Sequence, residues 1–158
     1  MSWKTGRGLL GPLKPLLGAW ATEAEMNGVT FTCTRTFEPH GKGWVRLDAV
    51  WNLPNGAYRE TAMFGPGDDG DLAFFSFTSD GKRSVGRLAD GSDVHPQAVA
   101  FEARMPAGLA RMIYWPPEDG GPGFNFAVES RTKKGWNRFL VHRCRPVDAG
   151  GTPAAPSG

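Results

Sequence analysis

The chain has 158 residues, a length suited to one domain with little room for a second. Hydrophobic residues make up 40% and charged residues 22%, which supports a packed core and excludes wholesale disorder. A formal charge of +2 gives no ground for expecting nucleic acid as a partner, no apolar run is long enough for a membrane span, and two cysteines do not make a disulfide scaffold.

No signal-peptide pattern opens the sequence, so the expectation is a cytoplasmic protein. The first element is a short helical plug near residues 9–17, interrupted by Pro12 and Pro15. From Gly18 onward the chain is punctuated by turn signals at near-regular intervals. They centre on Asn27-Gly28, His40-Gly41, Asn55-Gly56, Gly67-Asp68, Asp80-Gly81, Asp90-Gly91, Pro106 to Gly108, Gly120-Gly121 and Lys134-Gly135. Nine turns separate ten strand-sized segments.

Most of these segments alternate with period two. Val29, Phe31, Cys33 and Phe37 share one face of the second, with threonines on the other. Val45, Leu47, Ala49, Trp51 and Leu53 form the apolar side of the third. The fourth, around Tyr58 to Ala62, is ambiguous in phase, and the fifth, Leu72 to Phe77, is apolar on both faces. Asn27-Gly28 between alternating runs is a strong hairpin signal. No connection is long enough for a crossover helix, so the pairing is antiparallel.

Ten consecutive antiparallel strands with one apolar face leave two open edges unless they close. Closure predicts an all-β fold: a ten-stranded antiparallel up-and-down barrel with a short N-terminal helical plug. Ten strands enclose more volume than their own side chains fill, so a ligand cavity is expected. The expected organisation is a single barrel domain over residues 1–147, with residues 1–17 as the plug segment and residues 148–158 as a flexible tail.

Gly18-Ala19-Trp20, at the start of the first strand, resembles the Gly-x-Trp signature of calycin barrels, the superfamily of lipocalins, fatty-acid-binding proteins and avidins. The resemblance implies that Trp20 packs at the closed base, with Arg143 or Arg145 of the last strand lying across it. Ten strands joined at the start by a tight hairpin, without the helical lid of fatty-acid-binding proteins, most resemble nitrobindin-like small bacterial barrels. Nitrobindins bind haem through a histidine near the C-terminus, and His142 is the position that matches.

The function expected is non-covalent binding or carriage of a small hydrophobic ligand, with or without a carboxylate. The wall candidates are Trp20, Phe31, Trp51, Tyr58, Phe74, Phe101, Trp115 and Phe126. Arg35 enters the barrel if its strand keeps one phase, and a buried guanidinium is expensive unless paired. Arg35 or Arg143 would orient a polar end, as inward arginines do in the fatty-acid-binding proteins this chain resembles in strand number. This reading needs no cofactor and no metal, and it leaves the oligomeric state open. Haem on His142 is one alternative. It depends on whether Leu140, His142 and Cys144 face inward or Phe139, Val141 and Arg143 do. A small barrel enzyme is the other: Tyr58, Glu60 and Arg35 resemble the Tyr, Glu and Arg set inside phenolic acid decarboxylases, and a carboxyl in an apolar interior suits proton transfer. Cys33 and Cys144 are expected to stay free, because the first strand lies between theirs in a closed meander.

Overall fold

The computed structural model describes residues 3–147; the expected tail, residues 148–158, lies outside them. A 3₁₀ turn over Gly11–Leu16 precedes ten strands. These are β1 (Gly18–Met26), β2 (Val29–His40), β3 (Trp44–Leu53), β4 (Gly56–Pro66), β5 (Leu72–Thr78), β6 (Arg83–Ala89), β7 (Val99–Met105), β8 (Gly108–Trp115), β9 (Phe124–Thr132) and β10 (Gly135–Pro146). Each strand pairs antiparallel with the next, and β10 pairs with β1, so the sheet closes into the expected up-and-down barrel. This architecture is consistent with the calycin type. The closing seam is thin, with Trp20 opposite Pro146 and Ala21 opposite Arg145.

Local sequence accounts for the hairpins. Asn27 (φ 52°) and Gly28 (φ 78°) are both left-handed, which the primed two-residue turn between β1 and β2 requires. In β2 the alternation is clean: Phe31, Cys33, Arg35 and Phe37 are buried while the threonines between them are not.

One end of the barrel is sealed by the plug. Leu13 and Leu16 are fully buried there. Trp20 Nε1 donates to the Leu16 carbonyl at 2.7 Å, and the indole meets Phe124 edge-on with centroids 5.2 Å apart. Above it lie Phe37, Tyr114 and Phe124, and beside them the contacting rings of Phe64, Phe74 and Phe101. Phe74 lies so close across β6 that a Cβ at Gly86 would run into its ring, so the inner face needs glycine at that point.

Two strands depart from the simple alternation. In β8 the inner face is Ala110, Met112 and Tyr114, and the outer one is Arg111, Ile113 and Trp115. Trp115 is therefore outside the barrel, a correction to its place in the expected wall. It is buried all the same, because Ile113, Ala100, Ala127 and Trp115 pack with Val94 and Ala98 of the β6–β7 connection. In β10 the register against β9 shifts between Arg138 and Leu140, a bulge at Phe139. The extra residue reverses the inside–outside parity of the strand beyond it. Asn137 opposes inward Ser130 before the bulge, and His142 opposes inward Phe126 after it. His142 and Cys144 are buried and Val141 is exposed outside, while the bulge residue Phe139 is exposed at the border of the barrel's cavity. Arg143 is on the outer side as well, where it grips Asp119 through Nε (3.2 Å) and Nη2 (3.0 Å), so it orients nothing inside the barrel.

Cys33 and Cys144 are buried free thiols on strands separated by β1.

The indole–carbonyl bond fixes the plug to the sheet. Trp20→Phe should lose about 1–2 kcal/mol by leaving the Leu16 carbonyl without its donor, and Trp20→Ala about 3–5 kcal/mol by opening a cavity at the seal. Urea unfolding measures both; a Trp20→Ala variant within about 0.5 kcal/mol of the parent would contradict the assigned role.

Candidate functional site

Because the large rings and the plug fill one end, the empty space collects at the other. A cavity of about 470 Å³ opens between the tips of the β5–β6, β7–β8 and β9–β10 hairpins. Its volume lies within the roughly 300–1,000 Å³ range of small-molecule sites. Trp51, Tyr58, Phe74, Phe101 and Phe126 border it, as does Arg35. Trp20 is inward but at the sealed base, where the calycin resemblance places it, and Phe31 is buried near the mouth outside the cavity's border.

Arg35 has the least ordinary environment in the molecule. Its strand carries it inward between Cys33 and Phe37, and it is 2% exposed. The guanidinium carbon sits 4.0 Å over the Phe126 ring. Nε and Nη2 are both buried without a hydrogen-bond partner. A cation–π contact out of water is worth about 2 kcal/mol, whereas taking a guanidinium out of water costs several.

Arg111 is buried to the same 2% and provides the contrast. Its Nε reaches Glu129 at 2.8 Å, its Nη1 and Nη2 reach the two oxygens of Asp93 at 2.8 and 2.9 Å, and Trp136 covers it at 4.5 Å. Glu129 also accepts from Arg138. The chain thus surrounds one buried arginine with carboxylates on the outside of the barrel. The other, on the inside, has an aromatic face and the nearby Cys144 thiol but no carboxylate in hydrogen-bonding contact.

The free atoms of Arg35 are informative. Nε and Nη2 form the side-on fork of a guanidinium, which takes the two oxygens of a carboxylate in parallel. Elsewhere in this molecule the same two atoms do that, in Arg46 with Asp48 (2.8 and 3.2 Å) and in Arg143 with Asp119. In Arg35 the fork is empty. The acidic side chain whose charge reaches it is Glu60, and Glu60 is engaged with Ser76, whose hydroxyl donates to Oε2 at 2.5 Å.

Tyr58 and Glu60 both face inward and border the same cavity, so the structure brings together Arg35, Tyr58 and Glu60 as the enzyme alternative requires. Tyr114 and Ser76 were missed by the sequence reading. The Tyr114 hydroxyl is buried without a partner, and burial pushes the phenol well above its ordinary value, against the opposing pull of Arg35. Its signal was period two with Met112 and Ala110, obscured by the more apolar Ile113 and Trp115 on the other face.

His142 points inward, with its ring 6.0 Å from Trp51 and 6.4 Å from Phe126. Its Nδ1 is buried and unpartnered. The imidazole does not border the cavity, while Trp51 and Phe126 do. The residues do not fit haem ligation, since the imidazole lies outside the border of the cavity that would hold the iron.

The rim of the cavity is basic. Lys82 and Arg83 at the β5–β6 tip and Arg131 on β9 all border it and are exposed, with Asp80 against Lys82 at 3.6 Å. Such a rim favours the approach of anions.

Compared with models of protein families and with curated proteins, the chain matches none.

Burial first, and the Arg35 charge second, push His142 down from 6.5 to about 4. Between those two values the unfolded chain binds a proton that the folded chain refuses. Stability from this site is therefore complete above pH 6.5 and is lost as pH falls towards 4. His142→Gln should lose less stability across that window than the parent in urea titrations at stepped pH. Parallel curves for the two proteins would refute the assignment.

Proposed function

We propose that the protein binds a small, mainly apolar carboxylic acid inside the barrel, its carboxylate on the Arg35 fork and its apolar body along the aromatic wall. The observation that carries this is the pair of buried, unbonded donors on Arg35, in the geometry that Arg46 and Arg143 use for carboxylates. The basic rim supports it by drawing anions to the mouth, and the cavity volume suits a ligand of this size. Among calycin-like barrels this reading corresponds to that of a carrier. The nitrobindin-like haem reading is served less well, because the imidazole lies outside the cavity's border.

A carrier reading sets stability against function at one residue. Arg35→Met should abolish binding of carboxylates while leaving the unfolding midpoint of the ligand-free protein unchanged or higher, since an apolar chain in place of an unpaired buried charge is often stabilising by about 1–4 kcal/mol. Displacement of an apolar fluorescent dye by fatty and aromatic acids reads the first effect, and thermal unfolding the second. Retained carboxylate binding together with a collapsed midpoint would overturn the proposal.

Catalysis is the second reading, favoured by the shared cavity of Tyr58, Glu60 and Arg35. Chromatography of the recovered acid after long incubation separates the two. A carrier returns its ligand unchanged, and a product that disappears in Glu60→Gln would make the barrel an enzyme.

A further inference from the structure

The wall of the cavity is not uniformly apolar, and most of its polar residues below the rim are grouped. On β4 to β6 the inner face carries Tyr58, Glu60, Ser76, Thr78 and Ser84. Strand register makes them one patch: Glu60 lies opposite Thr78 across β4–β5, and Ser76 opposite Ser84 across β5–β6. On β7 to β9 the same cavity is bordered mainly by Phe101, Met105, Met112, Phe126 and Val128, with Ser130 and Arg131 of β9 towards the mouth. A cavity for a plain hydrocarbon chain has no use for a carboxylate and a row of hydroxyls along one side, since each must be desolvated when the ligand enters.

Glu60 is the centre of this patch. Its Oε2 accepts from Ser76, and among the described residues its Oε1 has no donor. Arg35 presents empty donors, and Glu60 presents an empty acceptor, on one cavity. A ligand that satisfies both carries an anionic end and, separately, a hydrogen-bond donor on one edge.

We infer that the ligand is a hydroxy- or amino-carboxylic acid: its carboxylate lies on Arg35, a hydroxyl or amino group on the Glu60 side, and its apolar face against β7 to β9. This rests on the carboxylic-acid reading above and narrows it. The polar patch selects among acids, whereas Arg35 accepts any of them. Net charge agrees, because one arginine with one nearby carboxylate suits a monoanion or a zwitterion better than a dianion.

The test uses the full chain, freed of bound lipid, and two families of probe: dodecanoate with its monohydroxy positional isomers, and naphthalene carboxylate with its hydroxy isomers. Calorimetry and tryptophan quenching give the affinities. At least one hydroxy isomer in a family should bind about tenfold more tightly than its parent acid, the worth of one hydrogen bond to a charged acceptor. Glu60→Leu should reduce that advantage to within about twofold. The inference is overturned if the parent acids bind as tightly as all of their isomers, or if the advantage survives in Glu60→Leu. The isomer series on the unaltered protein decides the first point whether or not the variant folds. Failure of the underlying reading looks different: no acid of either family binds, or Arg35→Met binds them all as before.

Discussion

A guanidinium removed from water must find its hydrogen bonds and its counter-charge inside the protein, and much of this barrel's interior is arranged around one whose fork finds neither. Arg35 and Arg111 are buried equally, yet only Arg111 is held by two carboxylates and covered by an indole. The fold can evidently supply acidic partners where a buried arginine serves structure. At Arg35 neither nearby group fills the fork: Glu60 is engaged by Ser76, and the Tyr114 hydroxyl is buried without a partner. The unfilled fork is a deficit of several kcal/mol in a molecule whose whole stability is of the order of 5–15 kcal/mol. The proposed ligand would supply the missing partner from outside.

The cavity exists because large side chains and the plug are unequally distributed along the barrel axis. Leu13, Leu16 and Trp20 close one end, and the rings of Phe37, Phe64, Phe74, Phe101, Tyr114 and Phe124 fill the adjoining half. Gly86 lets the Phe74 ring approach β6 closely, which tightens that filling further. The other half is lined by shorter chains such as Ser76, Ser84, Ala103 and Ala110, which cannot meet across a ten-stranded barrel. Arg35 sits between the halves, its guanidinium on Phe126, its unbonded Nε and Nη2 buried, and the residue itself at the border of the open space. The polar group is thus at the floor of an apolar pocket, where a charge-assisted hydrogen bond is least weakened by water.

Strand number, closure and the base role of Trp20 were legible in the sequence because turn chemistry and period-two alternation are local signals. So was the inward course of Arg35, since β2 alternates without interruption from Phe31 to Phe37. Phase was lost where a second burial surface or a bulge intervenes. In β8 both faces are covered, one by the interior and one by the β6–β7 connection, so apolar residues on each face gave no preference and Trp115 was assigned to the wrong side. In β10 the bulge at Phe139 breaks the parity that links Asn137 to His142, and an alternation carried straight through it cannot place Arg143. The polar patch on β4 to β6 was illegible for a different reason. Serines and threonines in strands are ordinary, and only the register that sets Ser76 beside Ser84 and Thr78 beside Glu60 makes them one surface.

The two empty hydrogen-bonding sites also bear on how tightly such a barrel can hold its ligand. Association costs an estimated 4–15 kcal/mol in lost freedom before any contact is counted. A rigid pocket recovers part of this by having its donors fixed beforehand. The Arg35 side chain is immobilised by Phe126 beneath it and by the strand packing around it, and Glu60 is held by Ser76. With both side chains held in this way, little of the free energy of the proposed contact would go into ordering the site. A carboxylate on Arg35 also removes the desolvation deficit that the ligand-free protein carries, so binding and stability rise together. An apolar ligand without the carboxylate gains the aromatic wall but leaves the fork empty. On the proposed reading, the buried charge that is costly to the empty barrel would therefore distinguish an acid from a hydrocarbon of the same shape.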